Sequence, residues 1–213
     1  MDRPVLPGDE DAAPSARVVL IGGPSGSGKS RLAALSGLPV LKLDDFYRSG
    51  DSDGLPRLPG GQVDSDDPDS WHREAAMTAI ESLCATGSAE VPIYDLAANG
   101  PRGTATVELR GASAFVAEGI FVAELIGPTQ AAGLLERAIC IRRSRWVTFV
   151  LRLARDLRER RKPPMFLLRR GLGLARSEPA AVRVLVSAGC DPLSLDAAAG
   201  CLRALHRRPS PGS

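Results

Sequence analysis

The chain has 213 residues, of which 44% are hydrophobic and 24% charged, with a formal net charge of +2. These are the proportions of a globular protein, long enough to bury a core without a metal or disulfide, and they exclude a chain disordered throughout. The near-neutral balance gives no reason to expect a polyanionic partner, and the excess of Gly (22) and Pro (17) argues against a helical bundle or coiled coil.

Residues 1–15 are rich in Pro, Asp and Ala and predict a disordered leader, acidic and without the apolar stretch of a signal peptide. Ala16 to Ile21 is a short apolar run dense in β-branched residues that reads as a buried strand ending at Gly22-Gly23. A helix is expected from Lys29 through Leu35, and a second strand over Leu38–Leu43. Residues 46–69 form a long Gly/Pro/Asp loop, of the kind that is functional or mobile. Ser70 to Cys84 has helical periodicity, with Ser70 as N-cap and Gly87 just past the end. Val91–Tyr94 and Ala105–Leu109 predict short strands flanking the turn Asn99-Gly100-Pro101. Buried strands follow at Ala114–Phe121 and Ala138–Ile141. Residues 144–161 predict a basic helix, Arg169–Arg176 a basic connection, and Val182–Val186 either a strand or a helix. Ser194–Leu205 predicts a terminal helix before a loose tail, 206–213. Strands alternating with helices indicate an α/β fold with a parallel sheet, and residues 16–205 are expected to form one domain.

The four cysteines, at 84, 140, 190 and 201, have no CxxC spacing and sit in or beside apolar stretches, as reduced thiols of a cytoplasmic protein do. No apolar run approaches the roughly 20 residues of a membrane helix. Charge is segregated: residues 44–69 hold eight Asp against two Arg, and residues 142–176 hold twelve Arg or Lys against two acids. These segments are either two solvated loops of opposite sign or the two sides of one site.

Gly23-Pro24-Ser25-Gly26-Ser27-Gly28-Lys29-Ser30 matches G-x-x-x-x-G-K-[ST] in full, after a predicted strand and opening a predicted helix. Glycines let successive backbone N–H groups converge on one phosphate, and the helix N-terminus adds partial positive charge. Lys29 is placed to reach the β- and γ-phosphates of a nucleotide and the Ser30 hydroxyl to ligate Mg²⁺. No N/T-K-x-D guanine motif is present, which argues against a GTPase. Asp44 and Asp45 follow the second strand, where open α/β sheets bind ligands; an Asp there serves as a base or is simply a solvated turn residue. Glu118, inside an apolar strand, needs a partner, and Mg²⁺ is a natural one.

Taken in order, GGPSGSGKS at 22–30, LDDFYR at 43–48, DDPDSW at 66–71, VPIYD at 91–95, AEGIF at 117–121 and RLARDLRERRK at 152–162 resemble the uridine kinase family of P-loop nucleoside kinases, over residues 17–162. The resemblance implies a P-loop fold and ATP- and Mg²⁺-dependent transfer of a phosphoryl group to a nucleoside 5′-hydroxyl, as in pyrimidine salvage. It implies Asp44 as catalytic base, Tyr47 and Tyr94 beside the nucleoside, Asp66 on the ribose hydroxyls, and Glu118 near Mg²⁺ with Ser30 and Asp44. The alternative reading of Tyr94, on its local pattern, is a core residue. Arg152, Arg155, Arg158 and Lys162 recur at helical spacing, and the resemblance makes residues 144–162 a lid whose Arg155 and Arg160 close over the triphosphate. Aromatic interleaving is missing from that segment, which argues against nucleic-acid binding. Where the family often carries a His that reads the pyrimidine, this chain has Asn99, and Thr148 and Leu151 stand where the lid usually has arginines. The acceptor thus stays open between a nucleoside and nicotinamide riboside, pantothenate or a sugar phosphate, with an ATP-binding regulator as the reading from another class. The family's frequent tetramers imply a homo-oligomer.

Overall fold

The computed structural model describes residues 14–58, 60–95, 98–143, 147, 149–150 and 179–208. In chain order the elements are β1 (Arg17–Gly22), α1 (Lys29–Leu35), β2 (Val40–Lys42), α2 (Arg73–Thr86), β3 (Ser88–Asp95), β4 (Gly100–Glu108), β5 (Ala114–Glu118), α3 (Val122–Ala131), β6 (Leu135–Ile141), β7 (Asp191–Leu193) and α4 (Leu195–His206). Residues 179–187 are also helical. One five-stranded sheet has the order β2-β5-β1-β6-β7, every pairing parallel, and β3 and β4 form a separate antiparallel pair.

The period of two along each strand sorts the core into two layers. Val18, Leu20, Phe115, Ala117, Ala138 and Cys140 face one side, packed with Ile80 and Leu83 of α2 and Val122 and Leu125 of α3. Val19, Ile21, Val116, Ile139 and Ile141 face the other, against Leu32 of α1 and Ala198 and Leu202 of α4. Both faces are covered, which is why the strands read as continuous apolar runs rather than alternating ones.

Several boundaries move for identifiable reasons. Ser70 is not an N-cap: Asp67 caps a 3-10 turn at Pro68–Ser70, and α2 starts at Arg73. The delay arises because Trp71 stays extended to bridge Tyr47, while the His72 N–H donates to the Phe46 carbonyl. Gly87 does close α2 in the left-handed conformation, and Ser194 caps α4 by accepting from the Ala197 N–H. The expected strand over 114–121 ends at Glu118, and its last residues lead into α3, which the sequence pattern hides behind Gly127-Pro128. Pro128 removes one helical bond, a cost of about 3 kcal/mol that burial of Val122, Leu125 and Ile126 offsets. The open choice at Val182–Val186 resolves to helix, and the three-residue β7 is an addition. The expected leader, apart from its last two residues, most of the basic helix, the basic connection and residues 209–213 lie outside the described residues. Cys84, Cys140 and Cys190 are free and buried, and burial pushes the Cys84 thiol up to about 11.

Candidate functional site

The segment Gly23–Ser30 leaves the carboxyl end of β1, the middle strand of the sheet, and runs straight into α1. Three glycines take conformations that L side chains resist: Gly23 at φ 146°, Gly26 at 82° and Gly28 at 100°. A Cβ on Gly23 would also lie 3.2 Å from the Ile141 carbonyl oxygen. Gly28 is the N-cap of α1 and makes no side-chain cap bond. Within the loop the Ser27 N–H donates to the Pro24 carbonyl, and Ser27 and Lys29 are both buried.

Parallel pairing sets the rest of the centre. Lys42, the last residue of β2, registers with Glu118, the last of β5, and β5 in turn pairs with β1 so that Ile21 registers with Glu118. A 3-10 turn, Leu43–Phe46, then carries Asp44 across the end of β5. Gly119 makes this approach possible: a Cβ there would meet the Leu43 Cβ at 2.7 Å and Asp44 Oδ1 at 3.4 Å. Asp44 is open to solvent at the mouth of the site, yet the protein packed behind it pushes its carboxyl above the usual carboxylate range, Asp45 adding to the rise and Lys29 and Lys42 opposing it. Burial likewise raises Glu118, opposed chiefly by Lys29 and by a hydrogen bond from the Ser30 hydroxyl. Its Oε2 is buried without a hydrogen-bond partner.

That orphaned oxygen is the test of whether a metal suits the site. One hydroxyl (Ser30) and two carboxylates (Glu118, Asp44), backed by a buried polar atom with nothing to bind, fit a hard divalent cation that keeps water and phosphate oxygens in its other positions. Among the described residues no group of three or more His, Cys, Asp or Glu gathers to hold a metal alone.

The second half of the site is aromatic. Tyr47 lies 5.8 Å from both Tyr94 and Phe121, and Phe121 stacks on Trp71 at 5.1 Å with an interplanar angle of 16°. Burial and the charges of Asp44 and Asp66 hold the Tyr47 hydroxyl protonated, and it donates to the Ser65 carbonyl at 3.1 Å. Asp66 therefore sits near Tyr47 in the long loop. That loop is braced by the Arg48 guanidinium, which donates to the carbonyls of Asp53 and Asp69.

Tyr94 is partly buried at the end of β3, and its hydroxyl donates to Asn99 Oδ1 at 3.0 Å. Asn99, at φ 52°, accepts from the Gly50 N–H on its carbonyl, and its side chain fills the space beside Gly50. The Tyr94 N–H donates to Asp45 Oδ1 at 3.2 Å. The two aspartates thus divide their work: Asp44 faces the centre, and Asp45 ties the hairpin to it. Arg102, on β4 of the same hairpin, is bonded to Asp95 at 2.8 Å.

Gly23–Ser30, Asp44 and Glu118 therefore meet at one edge of the sheet, with Tyr47, Asp66, Tyr94 and Asn99 grouped beside it. Arg155 and Arg160 lie outside the described residues. Sequence reading overlooks Gly119, whose role is legible only from the Leu43 contact, and Arg143, whose guanidinium comes within 4.0 Å of a Cβ position on Gly28. It also assigns nothing to Trp71 and Phe121, although both lie in motifs it singles out. Two cavities, of about 540 and 710 Å³, open at the opposite, amino-terminal edge, lined by residues such as Gly37, Ser113 and His206 or Arg17, Gly189 and Asp191, and neither includes any of these site residues. Among the described residues no helix is long and apolar enough to cross a membrane.

No protein-family model matches the chain, and no curated protein does. Solved structures do. One described as a "putative fructose transport system kinase from Silicibacter sp. TM1040" superposes with a TM-score of 0.58 at 19% identity, covering 86% of this chain and 90% of that one. Another, described as a "possible uridine kinase from Bacillus stearothermophilus", matches with a TM-score of 0.44 at 19% identity, over 70% and 84% of the two chains. The chain shares the α/β fold of the first of these structures, a parallel five-stranded sheet flanked by helices.

Proposed function

We propose that the protein is an ATP-dependent kinase that phosphorylates a hydroxyl of a small molecule, in the manner of uridine and cytidine kinases. The observation that carries this reading is the convergence of Lys29, Ser30, Asp44 and Glu118 at the carboxyl edge of β1, β2 and β5, with an aromatic wall beside them. The Gly23–Ser30 backbone holds the triphosphate, and the Lys29 ammonium neutralises charge on its terminal groups. Ser30, Glu118 and Asp44 would hold Mg²⁺, which when bound would further neutralise phosphate charge. Asp44 takes the proton of the attacking hydroxyl, for which a carboxyl pKa raised above its usual range is an advantage. Tyr47, Tyr94 and Asn99 flank the acceptor's ring, and Asp66 accepts from its hydroxyls. Arg155 and Arg160 supply positive charge to the transferring phosphoryl group. The engagement of Arg102 by Asp95 favours an acceptor without a phosphate of its own.

The test is ATP consumption with Mg²⁺ against uridine, cytidine, nicotinamide riboside, pantothenate, ribulose 5-phosphate and fructose. Turnover confined to uridine and cytidine supports the reading in full. Turnover with another acceptor keeps the chemistry and replaces the substrate. ATP binding without turnover on any acceptor points to a nucleotide-responsive regulator.

A further inference from the structure

The β3–β4 hairpin has two outer edges, and they are built differently. Antiparallel strands alternate between residues bonded to each other and residues whose N–H and C=O groups point away. The Leu109 N–H donates to the Gly87 carbonyl at 2.8 Å, which fixes the phase. Stepping by two along the register, Val107, Ala105 and Gly103 bond inward to Ala89, Val91 and Ile93, whereas Thr104, Thr106 and Glu108 point outward, as do Ser88, Glu90, Pro92 and Tyr94 on the other strand. Three independent observations agree with this phase. Pro92, which has no N–H to give, falls at an outward position. The outward N–H of Ser88 is taken by Thr86 Oγ1 at 3.3 Å, and that of Tyr94 by Asp45.

The edge of β3 is thus tied at Ser88 and Tyr94 by its own neighbours and interrupted at Pro92, a defence against stray pairing. The edge of β4 is not. Among the described residues no strand pairs with it, and residues 101–106 are exposed. A two-stranded ribbon is marginal alone, and four strands are not. Its charges are also self-complementary. If two β4 strands pair antiparallel about Ala105, Thr104 faces Thr106 and Arg102 faces Glu108, twice over by symmetry. Arg102 and Glu108 have 72% and 58% of their side chains exposed, the first already touching Asp95 and the second near Arg110.

We propose that two copies of this chain pair through the outer edge of β4, on a two-fold axis at Ala105, joining their hairpins into one four-stranded sheet. Because the β3 edges are tied and interrupted, the pairing ends at two copies instead of propagating. It would also brace the strand pair that carries Tyr94 and Asn99 in each copy.

The experiment measures the mass of the full chain by sedimentation equilibrium, with far-UV circular dichroism to confirm folding. The wild type is expected as a dimer. Ala105→Cys should cross-link under mild oxidation, since non-bonded antiparallel partners have Cα atoms about 4.5 Å apart, within disulfide reach. The substitution is made in a Cys201→Ser background, because Cys201 is partly exposed whereas Cys84, Cys140 and Cys190 are buried, and that background without Ala105→Cys should not cross-link under the same treatment. Thr106→Pro, which removes an outward N–H, and Glu108→Arg, which sets Arg against Arg, should each yield a folded monomer. A monomeric wild type, a dimer that survives either substitution, or a dimer that A105C does not cross-link would overturn the proposal.

Discussion

The phosphate side and the acceptor side of the site are held in different ways. Gly23–Ser30, Asp44 and Glu118 hang on the ends of three adjacent parallel strands, whose register alone brings them together. Tyr47, Asp66, Tyr94 and Asn99 sit on a long loop and on a hairpin outside that sheet, held by individual bonds such as Tyr94 to Asp45, Tyr94 to Asn99 and Arg48 to the loop carbonyls. Damage to the first side should abolish chemistry whatever the acceptor. Damage to the second should change which acceptor is used and how tightly it binds.

The largest effects are expected on the sheet-borne side. Asp44→Asn should lower kcat by on the order of 10²–10⁴ while nucleotide affinity, measured by calorimetry, holds. Lys29→Ala should lower turnover by on the order of 10²–10³ and weaken nucleotide binding as well. If the two variants lose binding and turnover in the same proportion, Asp44 is not acting as the base. Gly119→Ala comes next. Its added methyl meets the Leu43 Cβ at 2.7 Å, a backbone-borne atom with little room to yield, so the Asp44 turn must shift. We expect a loss of about 1–3 kcal/mol in stability by denaturant unfolding, together with a lower kcat. A fully active Gly119→Ala would mean that the position of Asp44 is not set by this contact.

Smaller and different in kind is Tyr94→Phe. It deletes the hydroxyl that holds Asn99 and keeps the ring against Tyr47. A hydrogen bond of this sort contributes about 0.5–1.5 kcal/mol, so the acceptor KM should rise roughly two- to tenfold with the nucleotide KM unchanged. An equal rise in both would erase the distinction between the two sides.

The same division explains what the sequence reveals. The sheet-borne side is legible because a short contiguous motif specifies it: Gly-rich loop, Lys29 and Ser30 must be adjacent, and a strand and a helix must flank them. The start and end of α1, read as Lys29 and Leu35, agree with the structure. The hairpin is legible as two strands about a turn, but its tie to Asp45 is not, because the partners lie 49 positions apart and a local pattern carries no trace of the contact. Gly119 escapes for the same reason: it reads as part of the strand expected over Ala114–Phe121, and only the approach of Leu43 shows what its missing side chain allows. α3 is hidden because Pro128 breaks the local helical signal that tertiary burial restores.

The smallest effect sharpens the comparison from the side of stability. Glu118 is buried with one oxygen unpartnered, and burial raises its pKa. A carboxyl raised in the folded state lends stability below its unfolded pKa and loses that contribution as pH rises through the folded value. Above that folded value, without metal or nucleotide, ionised Glu118 therefore works against the fold. Glu118→Gln should melt above the wild type there, by about 2–4 °C for each kcal/mol recovered, and the difference should vanish in acid, where the wild-type carboxyl is protonated. Adding Mg²⁺ with a non-hydrolysable ATP analogue should reverse the order, because only the wild type gains a charged ligand for the ion, and ligand at 100 times its Kd adds about 2.7 kcal/mol. A Glu118→Gln protein that melts below the wild type at every pH, with and without the ion, would show that Glu118 belongs to the scaffold rather than to the site.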